Sequence, residues 1–211
     1  MNTAKAIRQA ITSIPEGKPF PAKDLLQFGT RAAVDQILYR MAKDNQIQRI
    51  ARGVYLRPKW NKYVNRAVMP EPYEVAKLLA ETRGVKIGPT GAEAAQRLGL
   101  STQMPVRPVY VTTGRTREVK MGNDRVIQFR HVSPNKMEHA GTPIGTAIMA
   151  LRHLGKKRVT VQVIAKLAQT MKAEDFQQLR QATSALPGWA TDQFFKYEVN
   201  LGRRVSQAIA R

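Results

Sequence analysis

Apolar side chains return at Ile7, Ala10, Ile11 and Ile14, the i, i+3, i+4, i+7 spacing that lays one stripe along a helix. Pro15 and Gly17 end that helix, and Thr3 is placed to cap its start. "FPAKDLLQFG" predicts a short second helix, with Pro21 at its first position, Leu25 and Leu26 inward and Gly29 past its end. The helical spacing recurs at Val34, Ile37, Leu38 and Met41, so a third helix runs from a Thr30 cap to the region of Asp44. The pattern then changes: Ile47–Ala51 and Val54–Leu56 are β-prone, and Gly53 permits a tight turn between them.

Helix, helix, helix, hairpin is the order of a winged helix-turn-helix, whose third helix enters the DNA major groove. The outward side of that helix offers Thr30, Arg31, Gln36, Tyr39, Arg40 and Lys43. Arginine pairs bidentately with guanine and glutamine with adenine. The hairpin, as the wing, brings Arg49, Arg52 and Arg57 toward phosphates or the minor groove. An exposed helix face also carries such residues for solubility alone, and Tyr39 and Tyr55 equally suit boundary packing.

The polar, proline-punctuated "RPKWNKYVNRAVMPEPYE" reads as a connector, with Trp60 and Tyr63 expected to dock on what precedes. A boundary near residue 66 divides the chain into a DNA-binding domain, 1–66, and a second domain, 67–211. In the second, "EPYEVAKLLAETRG" is helical, with Val75, Leu78 and Leu79 inside. Thr90 and Glu93 have capping-box spacing before a short helix ending at Gly99. "RPVYVTT", "TREVKM" and "RVIQFRHV", separated by Gly114 and by "GND" at 122–124, predict a three-stranded antiparallel meander. Ser133-Pro134 and Thr142-Pro143 open the helical last third, whose first long helix turns Ile144, Ile148 and Leu151 inward. The fold class expected is α+β: a winged helix-turn-helix followed by a mixed domain with a small antiparallel sheet and several helices.

Charge sharpens this reading. The 211-residue chain carries +20, which draws polyanions, nucleic acid first. Residues 1–66 hold 13 Lys/Arg against 4 Asp/Glu, the densest excess. A second basic surface is expected from Arg115, Arg117, Lys120, Arg125 and Arg130 in the strands, with Lys156, Lys157 and Arg158 after them; charged sheet edges guarded against aggregation look the same. There is no cysteine, so disulfides and thiolate chemistry are excluded. No signal-peptide core and no membrane-spanning apolar run stand out, and a soluble cytoplasmic protein is the default.

Nothing in the pattern signals catalysis. The sequence has no Gly-Ser step, no D-x-D or D-x-E and no Walker loop, and His131, His139 and His153 lack metal-ligand spacing. Lys136, Glu138 and His139 make at most a weak acid/base cluster. No enzyme activity, metal or cofactor is expected. A nuclease, built from carboxylates distant in sequence, is the enzyme alternative.

"GAEAAQRLGLSTQ", "TTGRTREVKMGN" and "IQFRHV" within residues 88–134, together with "RIARGVYLRP", resemble AbiEi-like antitoxins of type IV toxin–antitoxin systems, including DUF6088-type members. The resemblance extends over nearly the whole chain and weakens after 145. It implies an N-terminal winged helix that binds inverted repeats in its own promoter and represses the operon, in a phage-defence setting. It implies a C-terminal domain that counteracts a nucleotidyltransferase-like toxin without needing a stable complex. Only Arg49, Arg52 and the third-helix face carry over as site residues. A palindromic operator requires a monomer or dimer assembling on DNA in two copies. The alternatives are a protein-interaction module for an acidic partner and a stand-alone plasmid or phage regulator.

Overall fold

The computed structural model describes residues 3–63, 66–103, 107–122 and 125–209. Two of the three residues of the expected "GND" turn, Asn123 and Asp124, lie outside them. The chain is α+β and divides into two compact units: Met1–Val85 with Thr116–Phe129, and Lys86–Arg115 with Arg130–Arg211. The first unit opens with α1 (Thr3–Thr12), β1 (Pro19–Pro21), a 3-10 helix (Ala22–Phe28), α2 (Arg31–Lys43), β2 (Gln48–Ala51) and β3 (Val54–Leu56). It continues through β4 (Trp60–Asn61), β5 (Arg66–Ala67) and α3 (Pro72–Glu81). The second unit begins with β6 (Ile87–Pro89), α4 (Gly91–Arg97) and β7 (Val109–Thr112). The chain returns to the first with β8 (Arg117–Lys120) and most of β9 (Val126–His131). It finishes in the second with a 3-10 helix (Pro134–Met137), α5 (Pro143–Arg158), α6 (Val161–Thr170), α7 (Ala173–Gln181) and α8 (Gly188–Ile209).

In the first unit the helical stripe does what its spacing predicts. Val34, Leu38 and Met41 of α2 are buried with Ile7, Ile11, Phe20, Leu25, Ile47 and Tyr55. Thr30 caps α2 by accepting from the Ala33 amide at 3.4 Å. Thr3, expected as a cap, is instead the first helical residue of α1. The segment expected as the second helix differs most. Pro19–Pro21 forms β1, antiparallel to β3, in a sheet ordered β1-β3-β2. Proline lacks an amide proton and is tolerated on an edge strand, and Phe20 stacks on Tyr55 with ring centroids 6.2 Å apart. Only one tight 3-10 helix remains; Leu25 is buried, whereas Leu26 is 36% exposed. A 3-10 helix has three residues per turn, and its buried residues, Ala22 and Leu25, are three apart, so Leu26 falls off that inward row.

The connector also departs from expectation. β4 and β5 pair as a two-residue ribbon across the expected boundary near residue 66, and Trp60 and Tyr63 are 61% and 97% exposed rather than docked. The three strands expected as a meander all form, but β7 does not neighbour β8: β8 pairs antiparallel with β9, and β7 with the unanticipated β6. In the first unit, Gly122 beyond β8 donates its amide to the Ile50 carbonyl on β2 at 3.0 Å.

The second unit is built around α5. Ala147, Ile148, Ala150, Leu151 and Leu154 pack with Ala94 and Ala95 of α4 and with Ile164, Leu167, Leu179, Ala190 and Phe194. Thr90 caps α4 through the Glu93 amide, while the Glu93 carboxylate turns to Arg97 at 2.6 Å. Thr142 caps α5 through the Gly145 amide at 3.1 Å. Phe176 of α7 meets Phe194 and Tyr197 of α8, and Arg180 pairs with Glu198 across the same two helices. No helix among the described residues is long and apolar enough to cross a membrane.

Candidate nucleic-acid interface

A groove of about 400 Å³ runs between α2 and the β2–β3 hairpin. Arg31, Asp35, Tyr39 and Ala42 line it from α2, and Arg49, Arg52, Gly53 and Tyr55 from the hairpin. The helical members recur at i, i+4, i+8 and i+11, one row beside the buried stripe of Val34, Leu38 and Met41. Burying that stripe therefore sets the row along the groove.

The hairpin supplies its cations through a defect in the ladder. Arg49 pairs with Tyr55 and Ala51 with Val54, so the register shifts between Arg49 and Ala51. Beside that shift Ile50 and Ala51 are both buried, while Arg49 and Arg52 stay exposed. Gly53 takes φ +75° at the turn, a left-handed conformation that suits glycine. Tyr39 is 69% exposed.

Among the described residues, Arg40, Lys43, Arg49 and Arg52 make no ion pair. Arg31 does: its Nε donates to Asp35 Oδ2 at 2.8 Å, and that hydrogen bond, followed by the carboxylate's charge, raises the arginine's already high pKa. Gln36, Arg40 and Lys43 are exposed on α2 beyond the groove lining. Arg40 and Lys43 also occupy the last turn, where cations favour the helix dipole. Thr30 uses its hydroxyl as the cap.

Arg57 is placed elsewhere. Its guanidinium donates to the Thr12 and Ile14 carbonyls at 2.7 and 2.6 Å and lies 3.7 Å from Glu16. It closes the end of α1 and does not line the groove. Asp35, which sequence reasoning passed over, does line it; the R-x-x-x-D spacing from Arg31 was the available signal.

The residues expected as a second basic surface fall in both units. Arg117, Lys120 and Arg125 belong to the first, and Arg115, Arg130, Lys156, Lys157 and Arg158 to the second. Within β8 there is no single basic face, because Arg117 and Lys120 are an odd number of residues apart and point to opposite sides. Arg117 lies over the Phe129 ring at 4.8 Å, with its Nε buried and unpartnered. Arg158 folds back onto the Leu154 and His153 carbonyls at the end of α5. The others are exposed. His131 Nδ1 lies 2.9 Å from the Gly114 carbonyl. Among the described residues, no group of three or more His, Asp or Glu side chains is placed to hold a metal ion.

Residues 6–179 match the model of a family of unknown function, DUF6088, and the chain belongs to that family. No curated protein matches. Among solved structures, the chain is similar to the crystal structure of the RV2827C protein from Mycobacterium tuberculosis. That likeness has 13% identity and a TM-score of 0.44, over 92% of this chain and 77% of the other.

Proposed function

We propose that this DUF6088 protein is a duplex-DNA-binding regulator whose first unit works as a winged helix-turn-helix, with α2 as the reading helix and the β2–β3 hairpin as the wing. The observation that carries the reading is the groove itself: Arg31 and Tyr39 from the helix face Arg49 and Arg52 from the hairpin across one open channel. Exposed, unpaired arginines neutralise phosphates and release counterions, and helix side chains beside them reach base edges. The strand β1 between the first two helices, paired to the far side of the hairpin, fits the same module. The resemblance to AbiEi-like antitoxins extends the proposal: the first unit represses the protein's own operon, and the second counteracts a nucleotidyltransferase-like toxin, without catalysis.

A mobility-shift titration with the protein's own upstream promoter, beside a scrambled duplex, tests this at two salt concentrations. Promoter binding that survives the higher salt while the control is released is the expected result. Equal, salt-labile binding to both duplexes refutes sequence-specific repression.

A protein-interaction role is favoured by one other observation. Helix α8 exposes Phe195, Val199 and Leu201 at 67%, 38% and 43%. Co-purification of the full chain with the neighbouring gene product supports that role.

A further inference from the structure

We infer that Arg31 reads a guanine edge in the major groove and that Asp35 is the positioning residue that aims it. The inference rests on the DNA-binding reading above and deepens it. Arg31 occupies the first turn of α2, the part of a reading helix that approaches bases. Its Nε is held by Asp35 Oδ2 at 2.8 Å, and this is the pair's one N–H···O contact. The guanidinium is a rigid planar fork, so fixing Nε leaves both Nη groups free at its outer end. That end matches the O6 and N7 acceptors of guanine, which take a bidentate pair of N–H donors.

Helix stability does not account for the pair. Arginine precedes aspartate at i, i+4, the order that opposes the helix dipole: the cation sits at the positive end. Both side chains are well exposed, 63% and 49%, where ion pairs contribute little. Phosphate binding does not account for it either. A carboxylate at the mouth of the groove repels phosphates and cancels the charge of the arginine beside it. Arg49 and Arg52, across the groove, carry no such counter-charge among the described residues. The groove thus separates two roles: paired Arg31 for bases, unpaired Arg49 and Arg52 for the backbone.

The test is selection of binding sites from randomised duplexes by the full-length protein, its Arg31→Ala variant and its Asp35→Asn variant. Affinities for the winning sites and their single-base changes follow. The wild type is expected to require guanine at one position of each half-site. Arg31→Ala is expected to lose discrimination there by roughly 5- to 150-fold, the range for one bidentate contact, and to keep it elsewhere. Asp35→Asn removes a negative charge, so it should bind random duplex as tightly as the wild type or more tightly while relaxing the same single position. Selection of a sequence by the wild type, with both variants keeping its preference at every position, overturns the inference and leaves the DNA-binding reading standing. Uniform weakening of all sequences by Arg31→Ala also overturns it, by making Arg31 a phosphate contact. If the wild type selects no sequence, the DNA-binding reading itself fails. Both positions are exposed, and unchanged thermal melting confirms that the variants are folded.

Discussion

Replacing Arg49 and Arg52 together by glutamine probes the hairpin's proposed role most directly. Both side chains are exposed and unpaired among the described residues, so the change leaves the core and the sheet register alone. If each arginine neutralises one phosphate, log K against log salt loses about 0.9 of slope per residue, or about 1.8 for the pair. A four-fold rise in salt, from roughly 50 to 200 mM, weakens each such contact by about 3.5-fold. The wild type should therefore lose about 12-fold more affinity than the variant over that interval, and the gap between them should narrow as salt rises. Fluorescence-anisotropy titrations of one labelled duplex at four or five salt concentrations measure both slopes. Parallel lines would refute the assignment of these arginines to phosphates, whatever the offset between them. Thermal melting should be unchanged; a lowered Tm would mean that the hairpin had been disturbed.

Arg57→Ala should act in the opposite way. Removing the donor to the Thr12 and Ile14 carbonyls should cost about 1–3 kcal/mol in denaturant unfolding while leaving the salt slope of DNA binding intact. Thr30→Ala should cost about 1 kcal/mol, read by the same unfolding assay, because it removes the cap of α2. Leu38→Ala, at a position with no exposed surface, should cost about 2–5 kcal/mol in that assay. Arg40→Ala should cost about 1–3 kcal/mol at the operator if that side chain reads a base; no loss in a mobility-shift titration removes it from the interface.

The sequence carried the helices more clearly than it carried the strands. Val34, Leu38 and Met41 announce α2 because a buried stripe needs a fixed period, and the capping threonines at 30, 90 and 142 mark where helices start. β1 was hidden because its three residues include two prolines and are held by pairing with β3, a partner more than 30 positions away. Leu26 faces outward because the 3-10 helix buries the row of Ala22 and Leu25, three residues apart. In the groove, the separate cations were legible, but not their different commitments. Arg57 is drawn to carbonyls at the end of α1, and Arg31 to a carboxylate one turn away. Arg49 makes no ion pair among the described residues, beside a register shift that no local pattern displays. Asp35 is an anion in a groove lined by three arginines, the opposite of the charge that a polyanion-binding face leads one to expect.

β2 lies at one edge of the sheet ordered β1-β3-β2, and its Ile50 carbonyl is met by an amide from residue 122, far downstream. During synthesis the ribosome delivers that amide only after everything between Leu56 and Gly122 has been made, a delay of about 3–13 seconds at ordinary elongation rates. Until then the edge is open to pairing with another nascent chain. A fragment ending at residue 66 or 85 would keep every groove residue and would lack this cover permanently. Such truncations should therefore self-associate more readily than the full chain does.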